Sequence, residues 1–135
     1  MYRVITCNTN GIRAAARKGF FEWLSQQSAD VVCIQEIKAK EVQLTDSVFY
    51  PEGYHCFYNE AERPGYSGTA VFAKEKPQRV VSRLDWEIVD SEGRYLQVDF
   101  PGLSVISLYV PSGSASEKAR ARKDGFMGPF YEHLA

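Results

Sequence analysis

The chain has 135 residues, a formal net charge of −1 and 24% charged residues. This composition is ordinary for a globular chain and far from a disordered one, and the length corresponds to one domain or a piece of one. The near-zero net charge excludes a general affinity for polyanions, so any binding of nucleic acid must depend on local clusters of basic residues. No stretch approaches the roughly 18 apolar residues of a membrane span.

The cysteine pattern indicates a reducing compartment. Cys7, Cys33 and Cys56 are odd in number and lack the C-x-x-C spacing of metal sites. Neither His55 nor His133 lies in a recognisable context for a thiol partner. We therefore expect a cytoplasmic protein without a catalytic thiol. The strand pattern begins almost at the first residue, which leaves no room for a signal peptide.

The first part of the chain has a β-α-β pattern. Apolar runs at residues 3–7 and 31–34 predict two strands, and apolar side chains at helical spacing predict a helix over about 20–27. Such a unit implies a parallel strand pair with a right-handed crossover. Residues 38–51 are predicted to form a loop with a short helical turn.

The second part predicts an antiparallel meander, because turn signals separate its apolar runs without intervening helices. A match to a capping box at 114–117 predicts a further helix, which we expect to kink or break near Pro129, with a helical remnant at 130–134. The fold class predicted is α/β, with a mixed, mostly antiparallel sheet and flanking helices. The predicted strands of this part are 54–58, 69–74, 77–84, 94–100 and 103–109.

Polar residues follow three of the apolar strands at the point where each strand ends. Asn8 and Asn10 follow the first strand, Glu36 follows the second, and Tyr109 ends the last. Ligand sites of α/β proteins lie beyond the carboxyl ends of such strands, and adjacent strands are roughly 5 Å apart. Amide and carboxylate oxygens are ligands for a hard cation such as Mg²⁺. The pattern therefore predicts part of a Mg²⁺-dependent phosphoester-cleaving site.

Each of these residues has a simpler interpretation. Glu36 taken alone is a solvated carboxylate at the sheet rim, or the partner of Lys38. Asn10 with Gly11 forms a common turn dipeptide, although the turn does not explain Asn8.

Tyr109 also has two interpretations. It is either a half-buried edge aromatic or a group that faces a phosphate as donor or phenolate. A phenolate would need nearby positive charge, because the ordinary pKa of tyrosine is about 10.

A basic segment and an aromatic loop each have a structural and a functional interpretation. Arg13, Arg17 and Lys18 are either a solvated helix face or contacts to phosphates from the same rim. The loop at 65–68 is either plainly flexible or presents Tyr66, beside Arg63, to a nucleic-acid groove.

The motifs together resemble a known family. The chain resembles the amino-terminal half of exonuclease III-type apurinic/apyrimidinic endonucleases, within the wider endonuclease/exonuclease/phosphatase superfamily. The resemblance covers about four-fifths of the chain. The matching segments are Ile5 to Ala14, Asp30 to Lys38, Gly65-Tyr66-Ser67-Gly68, Glu92-Gly93-Arg94 and Ser107 to Gly113.

The resemblance implies a four-layer α/β sandwich that cuts DNA 5′ to abasic sites and trims 3′ ends. It implies that Glu36 is the main ligand of Mg²⁺ (or Mn²⁺), with Asn8 assisting the metal and catalysis. Asn10 stands where the family carries Asp or Asn, as a third metal ligand. Tyr109 is expected to stabilise the scissile phosphate. The residues expected to contact DNA are Arg13, Arg17, Lys18, Tyr66 and Ser112.

The chain also departs from the family pattern. Members of the family are much longer, and their second half supplies a Gly-Asp-x-Asn segment and a terminal Asp-His pair that are not found here. We therefore expect residues 1–135 to be the amino-terminal half of the domain and to be inactive alone. An exposed apolar sheet face would then favour self-association. The alternatives are a phosphoinositide or other phosphodiester as substrate, and a non-catalytic fragment that binds DNA or protein.

Overall fold

The computed structural model of the chain describes residues 2–112 and 117–134. No helix in these two ranges is long and apolar enough to cross a membrane. Two short 3-10 helices, Glu41–Gln43 and Ser47–Phe49, provide the helical turns expected between residues 38 and 51. The strands and α-helices are β1 (Val4–Asn8), α1 (Ile12–Arg17), α2 (Phe20–Ser25), β2 (Val31–Gln35), β3 (His55–Asn59), β4 (Thr69–Ala73), β5 (Arg79–Val81), α3 (Glu87–Ser91), β6 (Tyr95–Phe100), β7 (Leu103–Leu108) and α4 (Glu117–Leu134).

The strands form two sheets. The first has the order β1-β2-β4-β3, in which β1 and β2 are parallel, as the β-α-β pattern predicted, and the other pairs are antiparallel. The second is antiparallel with the order β5-β6-β7. The predicted antiparallel meander is divided between the two sheets, because the chain leaves the first sheet after β4 and begins the second with β5.

The two sheets pack face to face. Alternate side chains of β2 and β4, such as Val31 and Val71, meet Leu96, Val98 and Val105 of the second sheet in one apolar cluster. Because side chains alternate along a strand, the intervening residues point to the opposite face of the first sheet. Strand β2 therefore needs its uninterrupted apolar run, since it is buried on both faces.

Helices cover both outer faces of the sandwich. Ile12 of α1 and Phe21 and Leu24 of α2 pack on the first sheet, and Phe126 and Phe130 of α4 pack on the second. The order is therefore helix, sheet, sheet, helix, and the predicted α/β class is confirmed. The bare apolar sheet face expected from sequence was wrong, because β6 and β7 cover it.

Helix α4 continues through Pro129, so of the kink or break expected there, the break is wrong. Proline removes one backbone hydrogen bond and crowds the preceding turn. Aromatic packing offsets this cost: Phe126 lies 4.9 Å from Trp86 and 5.6 Å from Phe130 between ring centroids, and Phe130 lies 6.3 Å from Tyr95. The predicted capping box has its Ser114 outside the described residues.

One flank of the sandwich is formed by β1 and β7, whose outer edges pair with no other strand of residues 2–112 and 117–134; β3 and β5 are the edge strands on the other side. Strand β7 lies over β2 and β6 lies over β4, so β1 and β7 are edge strands on the same side. Val4 on β1 is 48% exposed and Leu103 on β7 is 42% exposed. Both sheets therefore end with unpaired backbone and apolar side chains along this flank.

Candidate active site

The carboxyl ends of β2 and β7 are joined across the two sheets. Gln35 Nε2 donates to Ser107 Oγ at 3.1 Å, and Ser107 Oγ donates to the Ile34 carbonyl at 2.9 Å. Ser107 is fully buried. These bonds fix the residues that directly follow each strand, so Glu36 and Tyr109 lie at one rim.

Glu36 and Tyr109 form the centre of the site. The Tyr109 hydroxyl donates a hydrogen bond to Glu36 Oε1. Burial, followed by the hydrogen bond and charge of Glu36, raises the pKa of Tyr109 to about 12, although Arg94 opposes this shift. Tyr109 is therefore a neutral donor at physiological pH, which favours the donor interpretation over the phenolate.

Asn8 and Asn10 lie on the neighbouring strand end. Asn8 is the register partner of Gln35, and its Oδ1 accepts the Asn10 backbone N–H at 3.0 Å. Asn10 Oδ1 accepts from Lys38 Nζ at 2.6 Å. Lys38 thus donates to the Asn10 amide. Within residues 2–112 and 117–134 it forms no ion pair with Glu36.

The loops at this rim carry unusual backbone. Asn10, Glu36, Lys38 and Ser67 have φ values of 46°, 53°, 50° and 53°. Non-glycine residues seldom adopt this region, and such residues concentrate at functional sites. Cross-loop hydrogen bonds hold them in place, among them Gly11 N–H to the Glu36 carbonyl at 2.7 Å and Lys38 N–H to the Ser67 carbonyl at 2.9 Å.

Basic side chains line the surface beside this rim. Arg13, Arg17 and Lys38 line a pocket of about 400 Å³. A neighbouring pocket of about 340 Å³ brings Lys18 together with Asn8. The three cations predicted from sequence therefore lie near the site, and their contact with DNA stays a prediction.

Tyr66 lies among three arginines. The Arg63 guanidinium is 5.0 Å from the centroid of its ring, and its hydroxyl accepts from Arg94 Nη2 at 3.1 Å and Arg122 Nη1 at 3.3 Å. Ser112 is exposed, four residues beyond β7. The roles assigned to Tyr66 and Ser112 are not tested by this geometry.

The three thiols have raised pKa values, and Cys7 lines the pocket that brings Lys18 together with Asn8. They are free, and burial raises the pKa of Cys33 to about 11 and that of Cys56 to about 12, while it also raises the pKa of Cys7. Because the thiolate is the nucleophile, the raised pKa of each thiol lowers its reactivity at neutral pH.

Comparison with known proteins identifies the family. The model of the Endonuclease/Exonuclease/phosphatase family matches residues 5–128. The chain belongs to this family.

Relatives of this Endonuclease/Exonuclease/phosphatase chain include nucleases. It is 39% identical over 111 residues to the exodeoxyribonuclease of Bacillus subtilis (strain 168), which covers 82% of the chain and 43% of that protein. It is 32% identical over 114 residues to the DNA repair nuclease APEX1 of Danio rerio, which covers 83% of the chain and 37% of that protein.

A solved structure gives the same result. The AP endonuclease from Archaeoglobus fulgidus superposes with a TM-score of 0.74 at 31% identity, over 90% of this chain and 47% of that one. The chain thus spans less than half the length of each of these three relatives.

The donor atoms of this family member fit part of a magnesium site. Within the described ranges, no three His, Cys, Asp or Glu side chains are grouped closely enough to hold a metal ion. Mg²⁺, however, is often held by one or two carboxylates and keeps several waters. The Glu36 carboxylate and the asparagine amides fit that donor chemistry. Asn8 Oδ1 accepts the Asn10 backbone N–H and Asn10 Oδ1 accepts from Lys38, so each amide oxygen keeps one lone pair for a cation or its waters. The ligand roles of all three stay predictions.

Sequence reasoning gave no role to Arg94 and Glu92. The Arg94 side chain is 2% exposed and pairs with Glu92 through Nε and Oε2 at 2.5 Å. A signal was present, because Glu92-Gly93-Arg94 was one of the segments that carried the resemblance. Charged residues are seldom fully buried, so composition alone predicts Arg94 on the surface.

Proposed function

We propose that this chain is the amino-terminal half of a DNA-repair nuclease that hydrolyses phosphodiesters 5′ to abasic sites and at DNA 3′ ends, with Mg²⁺ or Mn²⁺. One observation carries the proposal. A neutral phenol and a carboxylate, Tyr109 and Glu36, meet at a sheet rim whose adjoining pocket is lined by basic residues.

The proposed roles follow from the chemistry of each side chain. Glu36, assisted by Asn8, would hold the cation, and a bound cation supplies Lewis-acid polarisation of the phosphate. Tyr109 keeps its proton at neutral pH, so its hydroxyl, which donates to Glu36 in this structure, can turn to donate to a phosphate oxygen instead. A single donor placed on developing negative charge contributes on the order of 10²–10³ in rate.

The basic pocket supplies the contacts to DNA in this proposal. Arg13 donates through Nη2 to the Lys38 carbonyl at 3.2 Å, which orients its guanidinium beside the rim. Arg17 and Lys18 are exposed at the end of α1 and immediately after it. Contacts of this kind position a nucleic acid through its phosphates and make affinity depend on salt.

We also propose that the chain alone does not turn over. His55 is exposed on β3, and the His133 ring packs on Tyr95 with 5.6 Å between centroids, so neither histidine lies at Glu36. A water-activating base is needed for efficient hydrolysis. The open flank of β1 and β7 is adjacent to the rim, and we place the completing segment there.

The same flank offers a route for self-association. Its unpaired backbone edges and exposed Val4 and Leu103 suit pairing with another strand. Sedimentation of the chain against Val4→Lys tests this: an oligomer that the lysine dissociates supports the proposal, and a monomer at all concentrations contradicts it.

The decisive experiment measures binding and cleavage separately. The chain is titrated against a duplex with an abasic-site analogue, the undamaged duplex and phosphoinositide vesicles. It is then fused to the carboxyl-terminal half of the Bacillus subtilis exodeoxyribonuclease and assayed for cleavage with Mg²⁺. We expect binding to both duplexes by the chain and cleavage of the abasic duplex by the fusion. Vesicle binding without DNA binding would favour a phosphoinositide substrate, and DNA binding by a folded fusion without cleavage would favour a binding module.

A further inference from the structure

Arg94 is the most deeply buried charged side chain of the described residues, with 2% of its surface exposed. It precedes β6 and lies beneath the rim that carries Tyr109. A buried charge is costly unless it is paired and fully hydrogen-bonded. The partners of Arg94 therefore show what the protein gains from placing it there.

The three nitrogens of the guanidinium donate to partners on three different segments of the chain. Nε pairs with Glu92, Nη1 donates to the Tyr109 carbonyl at 3.0 Å, and Nη2 donates to the Tyr66 hydroxyl at 3.1 Å. Two of the three partners are residues of the candidate site. The third, Glu92, also pairs with Arg122 of α4, so that the helix is joined to the same network.

Arg94 contacts Tyr109 in two further ways. Its Cζ lies 4.8 Å from the centroid of the Tyr109 ring, within the range of a cation–π contact, and its carbonyl accepts the Tyr109 backbone N–H at 2.9 Å. Arg94 thus contacts the backbone N–H, the carbonyl and the ring of Tyr109. The direction in which its hydroxyl points follows from these contacts.

We propose that Arg94 is the positioning residue of the site, which holds the Tyr109 and Tyr66 hydroxyls at the places where they face the DNA phosphates. This inference deepens the proposed function and rests on it. Arginine is required because its planar fork presents several donors in fixed directions, whereas the ammonium of lysine is a single flexible point. Lysine at position 94 would keep the charge and lose the geometry.

The first test uses the unaltered chain. Nitrogen NMR of the arginine side chains distinguishes a guanidinium fixed by three partners, with separate and slowly exchanging Nη signals, from one that rotates freely. We expect fixed signals for Arg94 and averaged signals for Arg79, whose side chain is 68% exposed in its pair with Asp99. Averaged signals for Arg94 in the folded chain would overturn the proposal.

The second test compares Arg94→Lys with the control Arg79→Lys, which changes an exposed arginine of β5 that lies opposite Asp99 at the far end of β6. Tyrosine rings are labelled with carbon-13 and assigned with Tyr66→Phe and Tyr109→Phe. We expect Arg94→Lys to shift the signals of Tyr66 and Tyr109 and to leave that of Tyr58 in the first sheet unchanged. The control should shift neither site tyrosine.

The outcomes separate this inference from the proposed function. Unchanged Tyr66 and Tyr109 signals in a folded Arg94→Lys chain would overturn the positioning role, whatever the DNA assays show. If that variant does not fold, the guanidinium signals of the unaltered chain decide. Shifted tyrosines in a chain that never binds DNA would keep the positioning geometry and remove its function.

Discussion

Tyr109 donates a hydrogen bond to Glu36 across 73 residues of sequence and from one sheet to the other. The phenol gives the carboxylate a neutral donor, and burial, followed by the hydrogen bond and charge of the carboxylate, raises the pKa of the phenol. Because each residue follows the end of a strand, their separation depends on how the two sheets pack. The pair therefore links the stability of the sandwich to the chemistry of the rim.

Changing Tyr109 to Phe should alter the pH dependence of stability. The pKa of Tyr109 is raised in the folded chain to about 12, above its ordinary value of 10. A raised pKa contributes stability that is fully present below the unfolded pKa and is lost as pH rises through the folded pKa. The difference in free energy of unfolding between the two chains should thus be constant up to about pH 10 and decline towards pH 12. Urea melts across this range measure it, and a flat difference above pH 10 would contradict the prediction.

Glu36→Gln should remove cation binding. The amide keeps the size of the side chain and loses its charge, so Mn²⁺ should raise the melting temperature of the unaltered chain and not that of the variant. Glu52→Gln is the control, because Glu52 is an exposed carboxylate in the turn before β3. An equal thermal shift in all three chains would exclude Glu36 as the ligand.

Arg13→Ala and Arg17→Ala should each weaken DNA binding about tenfold at low salt. Each should also reduce the slope of log affinity against log salt concentration by about the amount that corresponds to one phosphate contact. The reason is that both guanidinium groups line the basic pocket. Fluorescence anisotropy with a labelled duplex provides the measurement. Lys76→Ala, an exposed cation in the turn before β5, should change neither quantity. If the three variants are indistinguishable, the basic pocket does not bind DNA.

Gly93→Ala should destabilise the fold by about 3 kcal/mol, because strained backbone and overpacking add. Gly93 has a φ of 56°, and an added Cβ would lie 2.5 Å from the Asn59 carbonyl oxygen. Gly102 has a φ of 72° with nothing within 4 Å of the added Cβ, so Gly102→Ala should cost only about 1 kcal/mol. Denaturant melts of both variants give the comparison, and equal losses would show that the contact with Asn59 relaxes.

Local patterns in the sequence predicted most of the strands and the parallel pair. The alternation and turn signals that mark β6 and β7 are local, so both strands were expected. Their assignment to a separate sheet was not, because pairing partners are set by contacts distant in sequence. Pro129 was overestimated as a helix breaker for a similar reason, since the packing of Phe126 and Phe130 on the second sheet is tertiary.

The site was predictable to the extent that its residues follow strands. Asn8, Glu36 and Tyr109 were selected because strand ends gather at one rim, and the structure brings Glu36 and Tyr109 into contact. The same reasoning could not predict the role of Arg94. Its importance comes from being buried under the rim, and no local pattern distinguishes a buried arginine from a solvated one.

The left-handed backbone at Glu36 restricts which residues can replace it. Asn, Asp and Gly tolerate this conformation, whereas valine, isoleucine and threonine are strongly disfavoured. Random mutagenesis at this codon should therefore yield few well-folded chains with the β-branched residues, whereas Asn, Asp, Gly and the nearly isosteric Gln should fold. Among them aspartate alone retains the negative charge, and its shorter side chain would draw the carboxylate back from the Tyr109 phenol.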